Sequence, residues 1–502
     1  MDLLANLALG FSTALSPENL LFCFVGCLLG TLVGVLPGIG PTATIAMLLP
    51  LTFSFEPVTA LIMLAGIYYG AQYGGSTTAI LVNVPGETSS AVTALDGYAM
   101  TLKGRGGQAL AVAAIGSFIA GCIGTLILGL FAPPLAAVAL NFGPPEYFSL
   151  IVLGLISSTA LARGSLLNAL CMIVTGLLLG LVGLDMYTAA RRFTLGQLEL
   201  YNGISFVALS IGLFGISEIL RNLESKTESE VKVREIKGFM LSKEDMKRSI
   251  APILRGTALG SALGILPGGG HILASFASYT FEKKISKTPK RFGAGAIEGV
   301  AGPESANNAA AQTSFIPLLT LGIPAHPIMA LILGALIIQG IAPGPKVIET
   351  EPALFWGIVA SMWIGNLMLV VLNLPLVGMW MKLLKIPYSI MFPSIIAFSV
   401  IGTYSIDMNA FHVYEMAIFG ALGYLFMKLW CEPAPLLLGF VLGPMLEEHF
   451  RRAMILSRGD PTIFFSRPIS AVLLVIAVSI MVFAILPSIR RKREEIFVED
   501  AD

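Results

Sequence analysis

The sequence predicts an all-α, polytopic helical membrane protein made of two inverted repeats, each with a re-entrant helical hairpin and broken helices. Three observations lead to this prediction. The 502-residue chain is 55% hydrophobic and only 12% charged, whereas soluble proteins carry about 25% charged residues. Apolar runs of about 17 to 25 residues, the length that crosses a bilayer core, recur along the chain. A motif rich in glycine and proline also occurs twice, starting at residue 30 and again at residue 260.

The composition excludes several classes of function. The 31 basic and 31 acidic residues balance, so neither nucleic acid nor another polyanion is expected as a partner. The chain has no H-E-x-x-H, G-x-S-x-G or Walker A motif, which indicates that it is not an enzyme and does not drive transport with ATP. An intramembrane protease is the weak alternative. The five cysteines lie in or beside apolar runs, which is typical of small buried hydrophobic residues rather than of a metal site.

Basic residues divide the chain into segments. Residues 1–102 contain no Lys or Arg, whereas basic residues cluster in 221–255, in 283–291 and in the tail. Loops with such clusters are usually cytoplasmic. The predicted segments are a first membrane repeat, a charged cytoplasmic linker, a second membrane repeat, and a last transmembrane helix with a basic cytoplasmic tail, at 1–220, 221–250, 251–468 and 469–502.

The repeated motif is the main evidence for duplication. "GTLVGVLPGIG" (30–40) and "GSALGILPGGG" (260–270) are identical at six of eleven positions. The arm that follows the second copy is only 12 residues long, from His271 to Glu282. It reaches about 18 Å, short of the bilayer core of about 30 Å. Basic residues flank both ends of the whole hairpin, in 221–255 and in 283–291. This favours a hairpin that enters and leaves on the cytoplasmic side.

The first copy has no basic flanks, so we expect it to enter from the opposite side. Opposed hairpins in inverted repeats are typical of secondary transporters. The alternative is a pair of ordinary kinked helices that pack closely through glycine.

Each motif is followed about 50 residues later by a second polar interruption, "GAQYGGSTTAILVNVPGE" (70–87) and "GPESANNAAAQTSFIPLLTLGIPAH" (302–326). Broken helices expose N–H groups suited to a carboxylate and carbonyl groups suited to Na⁺. Ser and Thr can instead cap helices or bond back to their own helix. The predicted substrate-binding residues are Pro37, Gly38, Gly40, Ser76, Thr77, Thr78, Asn83, Pro267, Gly268, Gly269, Gly270, His271, Ser305, Asn307, Asn308, Gln312, Thr313 and His326.

The titratable residues near the interruptions have two readings each. Glu87 and Glu304 are candidates for coupling transport to an ion, Na⁺ or H⁺, or are carboxylates exposed in loops. His271 and His326 both follow similar turns. They are predicted to contact the substrate or to carry a proton, and the alternative is that they lie at the membrane interface. We expect no cofactor beyond the coupling ion and assign no metal ligand.

Several stretches resemble the large integral membrane subunit of tripartite tricarboxylate transporters. They are "GVLPGIGPTATIAMLLPLTF", "YYGAQYGGSTTAILVNVPGE", "GVAGPESANNAAAQTSFIPLLTLGIP" and "LGFVLGPMLEEHFRRAM", and the resemblance runs from Pro17 to about Pro468. It implies a multi-pass protein of the bacterial inner membrane that imports organic acids such as citrate by cation symport. It also implies two partners, a small four-helix membrane subunit and a periplasmic substrate-binding protein. The alternative function is a membrane scaffold or channel-like subunit without coupled transport.

Overall fold

Helices dominate the computed structural model, which describes residues 3–36, 40–161, 165–224, 238–266, 270–383 and 388–485. The prediction of an all-α protein is confirmed, because the strands in these ranges are only two residues long. β1 (Gly183–Leu184) pairs antiparallel with β2 (Arg191–Arg192). Five described helices are long and apolar enough to cross a membrane: Pro17–Val35, Gly106–Ala139, Phe206–Glu224, Pro352–Asn373 and Ala410–Lys428.

The helices of the first half precede the charged linker. They are α1 Leu3–Ala14, α2 Pro17–Val35, α3 Pro41–Thr52, α4 Pro57–Val82, α5 Ala91–Leu102, α6 Gly106–Ala139, α7 Pro144–Leu161, α8 Leu166–Gly180, α9 Phe206–Ser210 and α10 Ser217–Glu224. A π-helical segment, Ile211–Ile216, joins α9 to α10, and short 3₁₀ turns occupy Thr88–Ser90 and Glu199–Asn202.

The second half begins inside the predicted linker, at Lys243. Its helices are α11 Lys243–Gly264, α12 Gly270–Ile285, α13 Glu298–Thr313, α14 Phe315–Leu321, α15 Pro327–Ile338, α16 Val347–Thr350, α17 Pro352–Asn373, α18 Val377–Leu383, α19 Tyr388–Asp407, α20 Ala410–Lys428, α21 Pro433–Leu456, α22 Ile463–Ser466 and α23 Pro468–Ile485. A 3₁₀ turn, Pro289–Arg291, lies between α12 and α13.

Proline marks where many of these helices begin. Pro17, Pro41, Pro57, Pro327 and Pro352 each occupy the first position of a helix. A first-turn N–H has no partner within its helix, so proline loses nothing there and its fixed φ already suits the helix. The same residue type that breaks the apolar runs therefore starts the next helix.

The first repeated motif forms a helical hairpin. The Phe22 ring in α2 lies against the Phe55 ring just beyond α3, with ring centroids 4.2 Å apart. Phe22 is 14 residues before Leu36, and Phe55 is 15 residues after Gly40, so the two arms are each about 21–22 Å long. A single kinked helix would place these rings far apart. α2 and α3 therefore run antiparallel.

The second motif also forms a hairpin. Arg255 in α11 forms a two-pronged ion pair with Glu282 in α12, through nitrogen–oxygen distances of 2.7 and 2.6 Å. These residues lie far from the turn, so the arms run side by side to the base of the hairpin. Both motifs form helical hairpins rather than single kinked helices, whereas the re-entry of the hairpins into the membrane and the inverted orientation of the repeats stay predictions.

Both hairpins pack through glycine in the same way. A Cβ atom on Gly26, Gly30 or Gly34 of α2 would lie closer than 3.0 Å to a backbone carbonyl oxygen of α4. The equivalent residues of α11, 230 positions later, are Gly256, Gly260 and Gly264, and they meet the carbonyl oxygens of α13 in the same manner. Helices approach this closely only where the side chain is a hydrogen atom. The duplication seen in the sequence thus reappears as an equivalent helix pair, α2–α4 and α11–α13.

Labelling at the open ends of the hairpins tests whether the repeats are inverted. With the five native cysteines replaced by serine, a cysteine introduced at Ser54 should react with an impermeant maleimide from one side of the membrane. A cysteine introduced at Ser286 should react from the other side, because inverted hairpins open in opposite directions. Labelling of both positions from one side would refute the inversion.

A buried carboxylate fixes the loop between α12 and α13. Asp96, on α5 of the first half, accepts hydrogen bonds from the backbone N–H groups of Gly293, Gly295 and Ala296 at 3.0, 2.7 and 2.7 Å. It also accepts one from the Tyr279 hydroxyl at 3.0 Å. Backbone N–H groups that converge in this way form a favourable nest for an anion. Asp96 therefore holds the entry to α13 against the first half.

An ion-pair network anchors the loop that contains β1 and β2. Arg451 of α21 pairs with Asp185 at 2.7 Å and with Glu447 at 2.6 Å, and Arg192 also pairs with Glu447. The backbone N–H of Thr188, followed by that of Tyr187 and by Arg451, holds the pKa of the Asp185 carboxyl below its usual range. Hydrogen bonds to the charged form of a carboxyl lower its pKa in this way. None of these residues belongs to the five candidate membrane spans.

The most buried helices are α4 and α13. Every described side chain from Gly299 to Thr313 is buried, and so is nearly all of α4 from Thr59 to Leu81. α4 belongs to the first half and α13 to the second. The polar residues that the sequence singled out on these helices are therefore placed in the interior of the protein, near the boundary of the two halves.

Candidate functional site

The candidate site is a polar network that joins α4 to α13. On α4, Tyr68, Gln72 and Ser76 recur at intervals of four residues, and on α13 Glu304 and Asn308 do the same. Side chains four residues apart share one face of a helix. The spacing thus gives each helix a polar stripe in an otherwise apolar interior.

Glu304 is held by hydroxyl groups from the other half of the chain. Its side chain is 1% exposed. The Ser76 hydroxyl of α4 donates to Oε2 at 2.7 Å, and the Thr93 hydroxyl of α5 donates to Oε1 at 2.6 Å. Both oxygens of this carboxyl are therefore bonded across the interface between the halves.

Glu87 is the reciprocal case, because it belongs to the first half and bonds to the second. Asn307 Nδ2 donates to Glu87 Oε1 at 2.9 Å, and the Ser89 hydroxyl donates to the same oxygen at 2.6 Å. Glu87 is 7% exposed and its Oε2 has no hydrogen-bonding partner among the described residues. Both glutamates are buried, so the reading of them as exposed loop carboxylates is wrong.

Every hydrogen bond described to these two carboxyls comes from a neutral group, a hydroxyl or an amide. No Lys or Arg in the described ranges forms an ion pair with either glutamate. Burying an ionised carboxylate without a compensating cation is costly in a medium of low dielectric. Such a pair of sites is chemically suited to taking up a proton or a small cation.

A narrow cavity borders Glu304. Tyr73, Ser76, Thr77, Ser117 and Asn373 supply its polar lining, and apolar side chains of α4, α6 and the chain after α17 complete it. The centres of water-sized spheres can occupy about 20 Å³ of it. This is room for one water molecule or a bare cation, whereas an organic acid would need the walls to move apart.

The two histidines predicted to contact substrate lie against each other. The rings of His271, at the start of α12, and His326, just before α15, have centroids 4.6 Å apart. The Tyr68 hydroxyl of α4 lies 3.1 Å from His326 Nε2. All three side chains are buried, and the alternative reading of the histidines as residues of the membrane interface stays a prediction. This cluster again joins the two halves.

All five of the predicted hydroxyl residues have a hydrogen-bonding contact with their own helix, and Ser76, whose hydroxyl lies 3.0 Å from the Gln72 carbonyl oxygen, also reaches Glu304. Thr77 and Thr78 of α4 donate to the carbonyl oxygens of Tyr73 and Gly75. Ser305 and Thr313 of α13 donate in the same way to carbonyls four residues earlier. These contacts are those expected when Ser and Thr bond back to their own helix, which was the alternative to substrate binding. Thr77 also borders the cavity.

Some side-chain amide atoms of α13 have a hydrogen-bonding partner in the described structure, and others do not. Asn308 Nδ2 donates to the Ser117 hydroxyl of α6 at 2.7 Å. The amide oxygens of Asn307 and Asn308, and both amide atoms of Gln312, are buried without a hydrogen-bonding partner in the described structure. Buried amide groups normally find partners, so these atoms are candidates for contact with a ligand.

Part of the predicted set lies outside the network or outside the described residues. Asn83 ends α4 in a left-handed conformation, with φ of 58°, and its side chain is exposed rather than turned toward Glu304. Gly40 directly precedes α3, the second arm of the first hairpin. Gly270 is the first residue of α12, the second arm of the second hairpin. Pro37, Gly38, Pro267, Gly268 and Gly269 lie outside the described residues.

The sequence-based prediction missed four members of the site: Tyr68, Thr93, Ser117 and Ser89. For Tyr68 a signal existed, since it precedes Gln72 and Ser76 by one and two helical turns. Ser117 lies in a long apolar helix where nothing in the sequence distinguishes it from a serine that packs between helices. Thr93 and Ser89 follow Glu87 closely, but their separate partners depend on the fold.

One family model matches the chain, and two uncharacterized relatives are similar to it. The model of the "Tripartite tricarboxylate transporter TctA family" matches residues 20–438. An uncharacterized 52.8 kDa protein in the TAR-I ttuC′ 3′ region of Agrobacterium vitis is 67% identical over 500 residues, which cover all of both chains. A second uncharacterized protein, in the TAR-II ttuC′ 3′ region of the same organism, is 68% identical over 241 residues. That match covers 48% of this chain and the whole of the relative. No solved structure matches the chain.

Proposed function

This chain belongs to the tripartite tricarboxylate transporter TctA family, and from that premise we propose that it is the transport subunit of a cation-coupled secondary importer. Its substrates are tricarboxylates or related organic acids. A periplasmic substrate-binding protein delivers the substrate, and a small four-helix membrane subunit completes the assembly in the bacterial inner membrane. The tripartite character of the family supports the two partners.

The observation that carries the proposal is the pair of buried glutamates that have no basic partner among the described residues. Glu87 and Glu304 lie on opposite halves, and each bonds to neutral groups of the other half. A proton or Na⁺ at these sites removes the cost of the buried charge. Its binding also changes how well the halves are held together, which is the coupling that a secondary transporter needs.

Transport in proteoliposomes tests the function. Purified protein, with its small membrane subunit, is reconstituted and supplied with radiolabelled citrate, succinate or malate, with and without the binding protein and with a Na⁺ or a pH gradient. We expect uptake that requires the binding protein and one of the two gradients. Uptake that ignores both additions would contradict the proposal and favour a channel-like subunit. Failure of all three acids to enter would favour a membrane scaffold.

The proposed substrate and ion contacts are tested at α13. Asn307→Ala removes the amide donor to Glu87, and Asn308→Ala removes the donor to Ser117. Each loss of a buried hydrogen bond costs about 1–3 kcal/mol, so we expect uptake to fall about 10-fold or more in each variant at equal expression. Asn141→Ala, at an exposed asparagine that follows α6, serves as the control. Wild-type uptake by both α13 variants would show that the site is assigned wrongly.

A further inference from the structure

Three buried ring side chains from three separate elements meet near the interface of the two halves. Tyr68 comes from α4, His271 from α12 and His326 from the residue before α15. The ring centroids of Tyr68 and His326 are 5.5 Å apart, and those of the two histidines are 4.6 Å apart. His271 is 8% exposed and His326 is 1% exposed. At this depth the Tyr68 hydroxyl and the ring nitrogens of the two histidines need hydrogen-bonding partners.

Two helix N-termini converge on the same cluster. His271 is the second residue of α12, which is 16 residues long, and His326 is the N-cap residue of α15, which is 12 residues long. The first N–H groups of a helix have no partner in the helix, and together with the helix dipole they favour an anion. A helix N-terminus alone would be weak evidence, but here each N-terminus carries a buried imidazole.

The imidazole nitrogens supply the second, independent observation. Nδ1 of His271 and Nδ1 of His326 are buried and have no hydrogen-bonding partner among the described residues. When the Tyr68 hydroxyl donates to His326 Nε2, the neutral imidazole carries its proton on Nδ1. Tyr68 thereby makes the unpartnered nitrogen of His326 a donor. None of the described ion pairs involves either histidine, so the described residues provide no anionic partner for these imidazoles.

We infer that Tyr68, His271 and His326 form a carboxylate-binding subsite for the transported organic acid. This inference rests on the proposed transport function. The two imidazoles donate to the carboxylate, the N-termini of α12 and α15 add favourable dipoles, and Tyr68 positions the His326 proton without touching the substrate. Because α4 comes from one half and α12 and α15 from the other, the substrate-binding imidazoles of the second half depend on a hydroxyl of the first half.

This subsite is separate from Glu304, one of the two glutamates that we assign to the coupling ion. Tyr68 and Ser76, which bonds to Glu304, are eight residues apart on α4, and eight residues of helix span about 12 Å. Substitutions at that distance with no shared partner act nearly independently. Loss of the imidazole donors should therefore weaken the binding of the carboxylate and leave the binding of the ion at Glu304 unchanged.

Equilibrium binding tests the subsite without depending on transport. Purified protein in lipid nanodiscs is titrated with radiolabelled citrate, succinate and malate at fixed Na⁺ concentration and pH. For the acids that bind wild type, His271→Leu and His326→Leu should each raise the dissociation constant by about 10- to 100-fold, the loss of one hydrogen bond to a charged group. The half-saturating concentration of the coupling ion should stay within about twofold.

Conservative variants separate positioning from folding. His326→Gln keeps an N–H donor and should recover much of the lost affinity, while Tyr68→Phe, which frees the tautomer of His326, should weaken binding by less than His326→Leu. His449→Leu is the matched control, because His449 stacks on Tyr147 at a centroid distance of 4.9 Å in another part of the protein. If a Leu variant does not fold, the comparison rests on His326→Gln, Tyr68→Phe and His271→Gln.

The outcomes distinguish this subsite from the transport function. Binding that weakens as expected in a protein that fails to transport would support the subsite and overturn the proposed function. Uptake by wild type together with unchanged affinity in the histidine variants would overturn the subsite and leave the function standing. Failure of all three acids to bind wild type would also overturn the subsite.

Discussion

Replacing Glu304 by glutamine is expected to abolish cation-driven accumulation of substrate while the protein stays folded. Glutamine has the shape of glutamate, and the Ser76 and Thr93 hydroxyls can each donate or accept, so the buried hydrogen bonds survive. The negative charge does not survive. Removing one partner of a buried ion pair costs about 3–5 kcal/mol, which corresponds to a loss of more than about 100-fold in cation affinity.

The measurement compares two modes of transport in the same proteoliposomes. Accumulation against a gradient should be lost in Glu304→Gln, whereas exchange of internal for external substrate, which needs no net ion movement, should persist. Glu349→Gln removes one negative charge from an exposed position and should behave as wild type. Accumulation at the wild-type rate in Glu304→Gln would contradict the assignment of Glu304 to ion coupling.

Adding a single methyl group at Gly30 or at Gly260 is expected to destabilise the protein strongly. In each case the new Cβ would collide with a backbone carbonyl oxygen, that of Ile67 in α4 or that of Ala306 in α13. A flexible side chain could move aside, but a helix backbone can yield only if the whole helix shifts. Overpacking of this kind costs about 1–3 kcal/mol, and we expect Gly30→Ala and Gly260→Ala to lie at the upper end.

Thermal unfolding in detergent, followed by size-exclusion chromatography, measures the effect. Both variants should melt at clearly lower temperature than wild type, and by similar amounts, since the two helix pairs are equivalent. Gly378→Ala is the control, because a Cβ at this position of α18 meets no atom within 4 Å. Alanine is also the better helix former, so this control should be neutral or slightly stabilising. Unchanged melting of Gly30→Ala would mean that α2 and α4 are not packed as closely as described.

The hairpins could be predicted from the sequence because their causes are local. Glycine and proline act on the backbone of their own segment, and the short arm between His271 and Glu282 predicts a helix that does not cross the membrane fully. Because the motif occurs twice, each copy also supports the prediction of a hairpin at the other copy. The distribution of basic residues also predicts the side from which each hairpin enters the membrane. That side depends on the membrane as well as on the chain, so it stays a prediction.

The partners within the site could not be predicted, because they depend on packing between distant segments. Glu304 and Ser76 are 228 residues apart in the chain, and Asn307 and Glu87 are 220 apart. A single sequence indicates which face of a helix is polar but not which other helix it meets. His271 and His326 were chosen for their position after similar turns. Only the packing of α12 against the start of α15 brings their rings together.

The reciprocal bonding of Glu87 and Glu304 has a consequence for how the protein can assemble. Neither half completes its own carboxylate site: Glu304 depends on hydroxyls of the first half, and Glu87 depends on an amide of the second. The two glutamates are not equivalent residues, because the 230-residue offset of the repeated motifs pairs Glu304 with Gly74. A fragment that contains only the first half would therefore leave Glu87 without its amide donor, and a fragment that contains only the second half would leave Glu304 without both hydroxyls. Each site can form only when both halves of the chain have come together.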